Sequence, residues 1–212
     1  MPYYGGEGAQ SMSLYQEQPW ILTHTGKRVN LQNPRAEDVC LEDITYALAR
    51  LNRFTGHADP SWSVGQHSLL CAELARLQGG SLELQRSCLS HDFAEAYLGD
   101  VSSPLKRCIQ GYHGLEVLHF HAICTALGID LGVDPGWNLD PARAGKVKAI
   151  DQRAFEVEVQ TFMPPHPDLP EMKPIHPEER RALMYAFDWI PARVQFELEN
   201  RFDELTADIE GK

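Results

Sequence analysis

The sequence is short of positive charge. Its 212 residues contain 19 Lys and Arg against 30 Asp and Glu, which gives a formal net charge of −11 at pH 7. A protein that binds nucleic-acid duplexes without sequence preference needs a basic face to displace counterions, so this balance argues against a nucleic-acid polymer as partner. It leaves a nucleotide open as a substrate, because one local arginine or a metal ion can hold a phosphate.

A membrane-spanning run, a secretory leader and a CxxC pair are also lacking. No apolar run approaches the roughly 20 residues that cross a bilayer, and no N-terminal basic region precedes an apolar core. The five cysteines are an odd number, and Cys71, Cys88 and Cys124 fall within apolar helical patterns. This pattern is typical of reduced thiols packed as small hydrophobic side chains. We therefore expect a soluble cytoplasmic protein without a membrane partner.

Apolar residues recur mostly at helical spacing, which predicts an all-α, single-domain helical bundle. The exception is a small N-terminal β-hairpin around Thr25-Gly26. The predicted helices cover 41–51, 63–78, 81–99, 112–127, 140–162, 177–188 and 191–207. We expect residues 1–18 to form a flexible arm and 19–163 the core. Residues 164–212 would then supply a proline-rich loop and C-terminal helices packed on the same domain.

One stretch combines acidic residues with apolar ones that favour burial. Residues 89–106 read LSHDFAEAYLGDVSSPLK and hold His91, Asp92, Glu95 and Asp100 within ten positions. Acidic side chains are almost never fully buried unless they are paired or bind a metal. The stretch is therefore either an exposed acidic face or a functional site.

Four residues from three predicted helices could form a metal site. They are His67, His91, Asp92 and Asp151. His67 lies on the apolar face of its helix, His91 and Asp92 are about 100° apart around the next one, and Asp151 lies among apolar residues. Two imidazoles and two carboxylates suit one divalent transition metal such as Co, Mn or Zn, with Fe and Ni also compatible.

The order of these residues resembles that of the HD-domain metal-dependent phosphohydrolases. In this sequence the pattern reads GQH at 65–67, SHDFAEAYLGD at 90–100 and AID at 149–151. The segment RFTGH at 53–57, together with HDFAEAYLGDVSSPLK, is similar to the branch containing bacterial 5′-deoxynucleotidases and phage deoxynucleotide hydrolases. The similarity covers roughly residues 20–160. It implies an HD-type helical bundle, located in the host cytoplasm if the protein is phage-encoded.

The resemblance also implies roles for individual residues. It assigns His67, His91, Asp92 and Asp151 to the metal and Glu95 to catalysis. Asp100 matches an aspartate that orients or activates water, although an aspartate after Gly99 also suits a turn. The residues matched to substrate binding are Arg53, Phe54, His57 and Lys106.

These assignments predict an enzyme that cleaves the ester between the α-phosphorus and O5′ of a 2′-deoxynucleotide. The favoured substrate is a monophosphate, which would give a deoxynucleoside and phosphate. A dATP or dNTP triphosphohydrolase that releases triphosphate is the alternative. An HD-type iron oxygenase and a non-catalytic nucleotide-binding protein stay open as rivals, and a homo-oligomer is compatible with the closing amphipathic helix.

Overall fold

The protein is described by a computed structural model over residues 19–130 and 140–211. It is mostly helical with a small N-terminal hairpin, so the predicted fold class is confirmed. The strands are β1 (Trp20–Leu22) and β2 (Arg28–Asn30), and the helices are α1 (Leu41–Leu48), α2 (Val64–Leu77), α3 (Leu82–Ser90), α4 (Glu95–Leu98), α5 (Ser103–Lys106), α6 (Tyr112–Leu127), α7 (Pro141–Phe162), α8 (Pro177–Tyr185) and α9 (Pro191–Glu210). Short 3-10 turns cover Ala36–Asp38 and Phe54–Gly56. The arm predicted over residues 1–18 lies outside the described residues.

The hairpin forms where it was predicted and is fixed to the first helix. β1 and β2 are antiparallel, with Ile21 opposite Val29, and Gly26 takes the left-handed φ of +85° that the tight turn requires. The Thr25 backbone N–H donates to Asp43 Oδ1 at 2.7 Å, and its hydroxyl donates to Oδ2 at 2.8 Å. Because Asp43 belongs to α1 and is buried, these bonds hold the hairpin against the helices.

Helix α2 begins as its capping signal predicts. The Ser63 hydroxyl accepts from the Gln66 backbone N–H at 3.1 Å, and Gln66 Oε1 accepts from the Ser63 N–H at 2.8 Å. The face carrying His67, Cys71 and Leu74 is fully buried. The capping box therefore sets the register that turns His67 inward.

The apolar residues form two neighbouring cores. One gathers side chains mainly of α1, α3, α4, α6 and α9, and the other mainly those of α2, α7 and α8, while Ala72 of α2 belongs to the first core and Cys88 of α3 to the second. The helices of the C-terminal segment, α8 and α9, take part in these cores through Leu183 and Leu198. Among the residues that the structure describes, no helix is both long and apolar enough to cross a membrane.

The helix predicted from Ser81 to Gly99 is interrupted, which corrects one expectation. α3 ends at Ser90 and α4 begins at Glu95, with a turn over residues 91–94 between them. Here the N–H of Phe93 bonds to the Ser90 carbonyl and that of Glu95 to the Asp92 carbonyl, three residues back rather than four. The Ser90 hydroxyl also donates to the Arg86 carbonyl at 2.9 Å, a contact that tends to bend helices. His91 and Asp92 consequently lie in a turn, and the helical-face argument for them was wrong.

Candidate metal centre and its clefts

His67 is fixed in one tautomer by a buried carboxylate. Its Nδ1 lies 2.7 Å from Glu158 Oε1, and both side chains are completely buried. Burial raises the pKa of Glu158, but the Arg53 guanidinium and His67 lower it more, so the carboxyl is ionised. An ionised carboxylate only accepts hydrogen bonds, so Nδ1 carries a proton, and in the neutral imidazole the lone pair lies on Nε2.

His91 is oriented in the same way by the backbone. Its Nδ1 lies 2.8 Å from the carbonyl oxygen of Cys88, which can only accept. The Nε2 atoms of His67 and His91 are 3.4 Å apart. Both imidazoles therefore present Nε2 to one point, each with its outer nitrogen held by an acceptor, as in histidines that bind metals.

Asp92 and Asp151 bring carboxylate oxygens to that point. His67 Nε2 lies 3.6 Å from Asp92 Oδ2 and 3.4 Å from Asp151 Oδ1. His91 Nε2 lies 3.1 Å and 3.8 Å from the same two oxygens. Two ligand atoms, each about 2.1 Å from one ion and separated by 90–110°, are about 3.0–3.4 Å apart. Three of the five distances fall in this range, and the other two, 3.6 and 3.8 Å, lie a few tenths of an ångström beyond it. The structure thus brings the four predicted ligands around one point, at separations close to those that one ion requires.

The electrostatics of this cluster favour positive charge. Burial lowers the pKa of both imidazoles, but the neighbouring carboxylates outweigh it, so the pKa of His67 is raised and that of His91 is raised further. Burial likewise raises the pKa of Asp92 and Asp151, yet the two histidines hold both values well below the usual range. The four groups stabilise one another's charged forms, and a cation at their centre would do the same.

Cys71 adjoins the cluster, a neighbour that the sequence reading treated as ordinary packing. Its Sγ lies 3.4 Å from His67 Nε2, and the ligand atoms of His67, Cys71 and His91 all lie within 4.8 Å of one another. Burial raises the pKa of the Cys71 thiol well above its ordinary value. A buried neutral thiol packs as a small hydrophobic group, and a thiophilic ion could still recruit it.

Glu95 lies beside the cluster with one oxygen held and one free. The residue is 6% exposed, and its Oε1 accepts a hydrogen bond from Lys106 Nζ at 3.1 Å. Its Oε2 is buried and has no hydrogen-bond partner among the described residues. Burial, Asp92 and Asp100 together raise the pKa of Glu95 to about 8, although Lys106 opposes them. Burial also raises the pKa of Asp100.

The predicted substrate-binding residues are only partly brought together. Arg53 donates from Nε to Glu158 Oε2 at 3.0 Å, and its Nη1 lies 3.7 Å from Asp92 Oδ2. Phe54 follows it with a left-handed φ of +56°, a strained conformation that clusters at functional sites. Lys106 is already bound to Glu95 and to Glu116, while His57 is exposed.

Two clefts meet at the cluster. The first has a volume of about 540 Å³ and is lined by Arg53, Phe54, Asp100, Lys106 and Phe155 among others. The second, of about 400 Å³, has a mainly apolar wall containing Val117, Phe120 and Val147. Asp92, Glu95, Lys148 and Asp151 line both clefts, so a ligand in either one would reach the same carboxylates. His57 does not belong to either lining.

Sequence reasoning missed four neighbours of the centre. Glu158 follows Asp151 by seven residues, two turns along α7, and this spacing could have placed it on the same helix face. Phe155 could have been found in the same way, because it follows Asp151 by four residues, about one helical turn. Lys148 Nζ lies 2.7 Å from Asp151 Oδ2, and Glu116 lies 2.7 Å from Lys106 Nζ. No motif points to Glu116, because its role depends on how α6 packs.

Comparisons with known proteins give relatives without a described activity. The chain is 34% identical over 132 residues to the uncharacterized protein YfdR of Escherichia coli (strain K12), a match that spans 62% of this chain and 66% of that protein. It is 39% identical over 102 residues to the uncharacterized protein RCAP_rcc00048 of Rhodobacter capsulatus, spanning 46% of this chain and 52% of that protein. The matched part of this chain thus spans just under two thirds of the length of the Escherichia coli protein and about half of the length of the Rhodobacter capsulatus protein. No protein-family model matches the sequence.

Proposed function

We propose that the protein is a metal-dependent phosphohydrolase that cleaves the α-phosphorus–O5′ ester of 2′-deoxynucleotides. The observation that carries the proposal is the convergence of His67 Nε2, His91 Nε2, Asp92 and Asp151 beside Glu95, whose buried Oε2 has no hydrogen-bond partner in the described part of the chain. The resemblance of the sequence to HD-domain phosphohydrolases agrees with this geometry. A divalent ion held by these four residues would polarise a phosphoryl oxygen and lower the pKa of a bound water.

Glu95 would serve as the general base. Lys106 holds Oε1, so Oε2 is the oxygen left to accept a proton from the attacking water. Burial and the neighbouring carboxylates raise the pKa of Glu95 to about 8, and a cation held at the centre would lower this pKa and favour the ionised form that acts as a base. The water oxygen forms a bond to phosphorus, and the bond from phosphorus to O5′ breaks. O5′ then takes up the proton that Glu95 accepted, which makes it the hydroxyl group of the nucleoside and returns Glu95 to its ionised form. Asp100 lines the same cleft and could orient the water.

Arg53 would bind the phosphate while it remains tied to Glu158. A guanidinium carries five N–H groups in a fixed plane. Arg53 can therefore keep its bond from Nε to Glu158 and still donate to a phosphate oxygen in the first cleft. Phe54 and Phe155, whose ring centroids are 6.0 Å apart, line the same cleft and offer apolar surface to a nucleoside.

The charges around the first cleft favour a monophosphate over a triphosphate. Four cations line this cleft: Arg53, Lys106, Arg107 and Lys148. Arg53, Lys106 and Lys148 each lie near a carboxylate, at 3.0, 2.7 and 2.7 Å respectively, so their positive charge is largely compensated within the protein. Arg107 is exposed and adds one more positive charge. A monophosphate brings about two negative charges, whereas a triphosphate brings about four and would need cations beyond Arg107.

Product analysis tests the proposal. Chelator-stripped protein, resupplied separately with Co²⁺, Mn²⁺ or Zn²⁺, is offered dAMP and dATP. We expect phosphate and deoxyadenosine from dAMP. Glu95→Gln should lower turnover by about 10²–10⁴-fold with metal affinity retained, and Asp92→Ala should lose both metal and activity. The His166→Ala variant, which changes an exposed histidine in the loop before α8, is the matched control and should keep both.

Other outcomes point elsewhere. Triphosphate released from dATP in preference to any dAMP cleavage would make the protein a triphosphohydrolase. No release with any metal, or equal release by Asp92→Ala, would contradict the proposal. Oxygen uptake by the Fe²⁺-loaded protein would then favour the oxygenase.

A further inference from the structure

Lys106 is enclosed by carboxylates from two other helices. Its Nζ lies 3.1 Å from Glu95 Oε1 and 2.7 Å from Glu116 Oε1. Glu95 belongs to α4, Lys106 to α5 and Glu116 to α6, so three elements converge on one ammonium group. The ammonium therefore takes the place that a cation bridging two carboxylates would take.

The surroundings keep this lysine charged. Burial lowers the pKa of Lys106, but Glu116 and Glu95 outweigh it and raise the net value. The Tyr112 ring also lies under the ammonium, with its centroid 5.6 Å from Nζ. Without the lysine, two carboxylates would be left facing one point in a partly buried cleft with no cation between them.

Further donor atoms belong to these carboxylates and to a neighbour of Glu116. Glu95 Oε2 is buried and has no partner among the described residues, and Nδ1 of the exposed His113 lies 3.7 Å from Glu116 Oε2, the oxygen that Lys106 does not contact. Glu95, His113 and Glu116 all line the second cleft, together with Asp92. Carboxylate oxygens with one imidazole suit a divalent ion such as Mn²⁺, and centres that cleave phosphate esters often hold two cations close together.

We propose that the Lys106 ammonium fills a second cation position beside the metal centre, so that each chain binds one divalent ion. Removal of the lysine would leave Glu95 and Glu116, with His113 beside Glu116, as a site for a second ion. Lys106 is then a positioning residue that fixes Glu95 and limits the centre to one metal. This inference rests on the proposed metal centre.

Mn²⁺ stoichiometry tests the inference without reference to turnover. Chelator-stripped protein is titrated with Mn²⁺ by calorimetry, and bound metal is counted by elemental analysis after desalting. We expect one ion per chain for the wild type, two for Lys106→Ala, and one for Lys106→Arg, which keeps the cation. The double variant Lys106→Ala with Glu116→Gln should return to one ion, because it loses a ligand of the new site.

The outcomes separate this inference from the function it rests on. A wild type that binds no metal overturns the metal centre and this inference with it. If the wild type and the Lys106→Ala variant each bind one ion, the inference about Lys106 is wrong, while the proposed metal centre is still supported. A wild type that binds two ions also contradicts the inference about Lys106. Circular dichroism checks folding, and Lys106→Ser provides a second test if Lys106→Ala does not fold.

Discussion

Replacing Glu158 by Gln should destabilise both the fold and the metal centre. The Glu158 carboxylate is completely buried and accepts three hydrogen bonds. Oε1 accepts from Trp62 Nε1 at 2.9 Å and from His67 Nδ1 at 2.7 Å, and Oε2 accepts from Arg53 Nε at 3.0 Å. A glutamine has the same shape but only one oxygen, so at least one of these donors would face an NH₂ group instead.

The expected cost follows from the buried charge. If the amide oxygen of the introduced glutamine accepts from Trp62 and His67, the Arg53 guanidinium loses its 3.0 Å partner and retains Asp92, at 3.7 Å. Removing one member of a buried ion pair costs about 3–5 kcal/mol. Weakening the outer hydrogen bond of a ligating histidine lowers metal affinity by about 10–100-fold.

Two assays check these values, with a control from the same helix. Urea unfolding of the metal-free protein, followed by tryptophan fluorescence, gives the free energy of unfolding, and calorimetry gives the metal affinity. Glu156→Gln removes a partly exposed partner of Arg153, which Glu179 also binds, and should cost at most about 1 kcal/mol. If Glu158→Gln were no more destabilising than this control, the reasoning on the buried network would be refuted.

Three further predictions concern packing, pH and metal binding. A Cβ at Gly65 would lie 2.8 Å from Val194 Cγ1, so Gly65→Ala should lower the free energy of unfolding by about 1–2 kcal/mol in urea unfolding, since overpacking outweighs the gain in helix propensity. Gly145→Ala, which has open space, should raise it by up to about 1 kcal/mol. Burial lowers the pKa of His119 more than its bond to the Leu31 carbonyl raises it. The unfolded chain then binds more protons just below pH 6.5, so His119 should make unfolding easier as pH falls through that value, and His119→Gln should flatten the pH dependence measured by urea unfolding. Mn²⁺ at 100 times its Kd should stabilise the protein by about 2.7 kcal/mol, measured as a shift of the urea midpoint.

Each of these has an outcome that would contradict it. If Gly65→Ala and Gly145→Ala changed the free energy of unfolding in the same direction, the close approach of α2 and α9 would not be what limits the side chain at position 65. A pH dependence identical in wild type and His119→Gln would mean that the imidazole does not change protonation on unfolding. For the metal, stabilisation that persists in Asp92→Ala would place the ion elsewhere.

Local signals in the sequence were enough for most of the elements. The capping box at Ser63 and Gln66, the Asp140-Pro141 start of α7 and the turn at Gly26 each act within a few residues. Such signals depend on backbone geometry close in sequence, which explains why these elements were predicted. The break after Ser90 was missed, because HDFA contains no proline or glycine that would predict the end of a helix. The hydrogen bonds to the carbonyl three residues back, which mark the break, are visible only in the structure.

The sequence by itself determined which side chains could carry the chemistry, while the tertiary structure decided how they meet. The order of His67, His91, Asp92 and Asp151 was visible along the chain. The tautomers were not, because they depend on an acceptor 91 residues from His67 and on a carbonyl in a turn that was not expected. Lys106 was predicted to contact phosphate, yet α4 and α6 bring Glu95 and Glu116 around it. Contacts of this kind arise from how helices pack over long sequence separations, and spacing along the chain does not encode them.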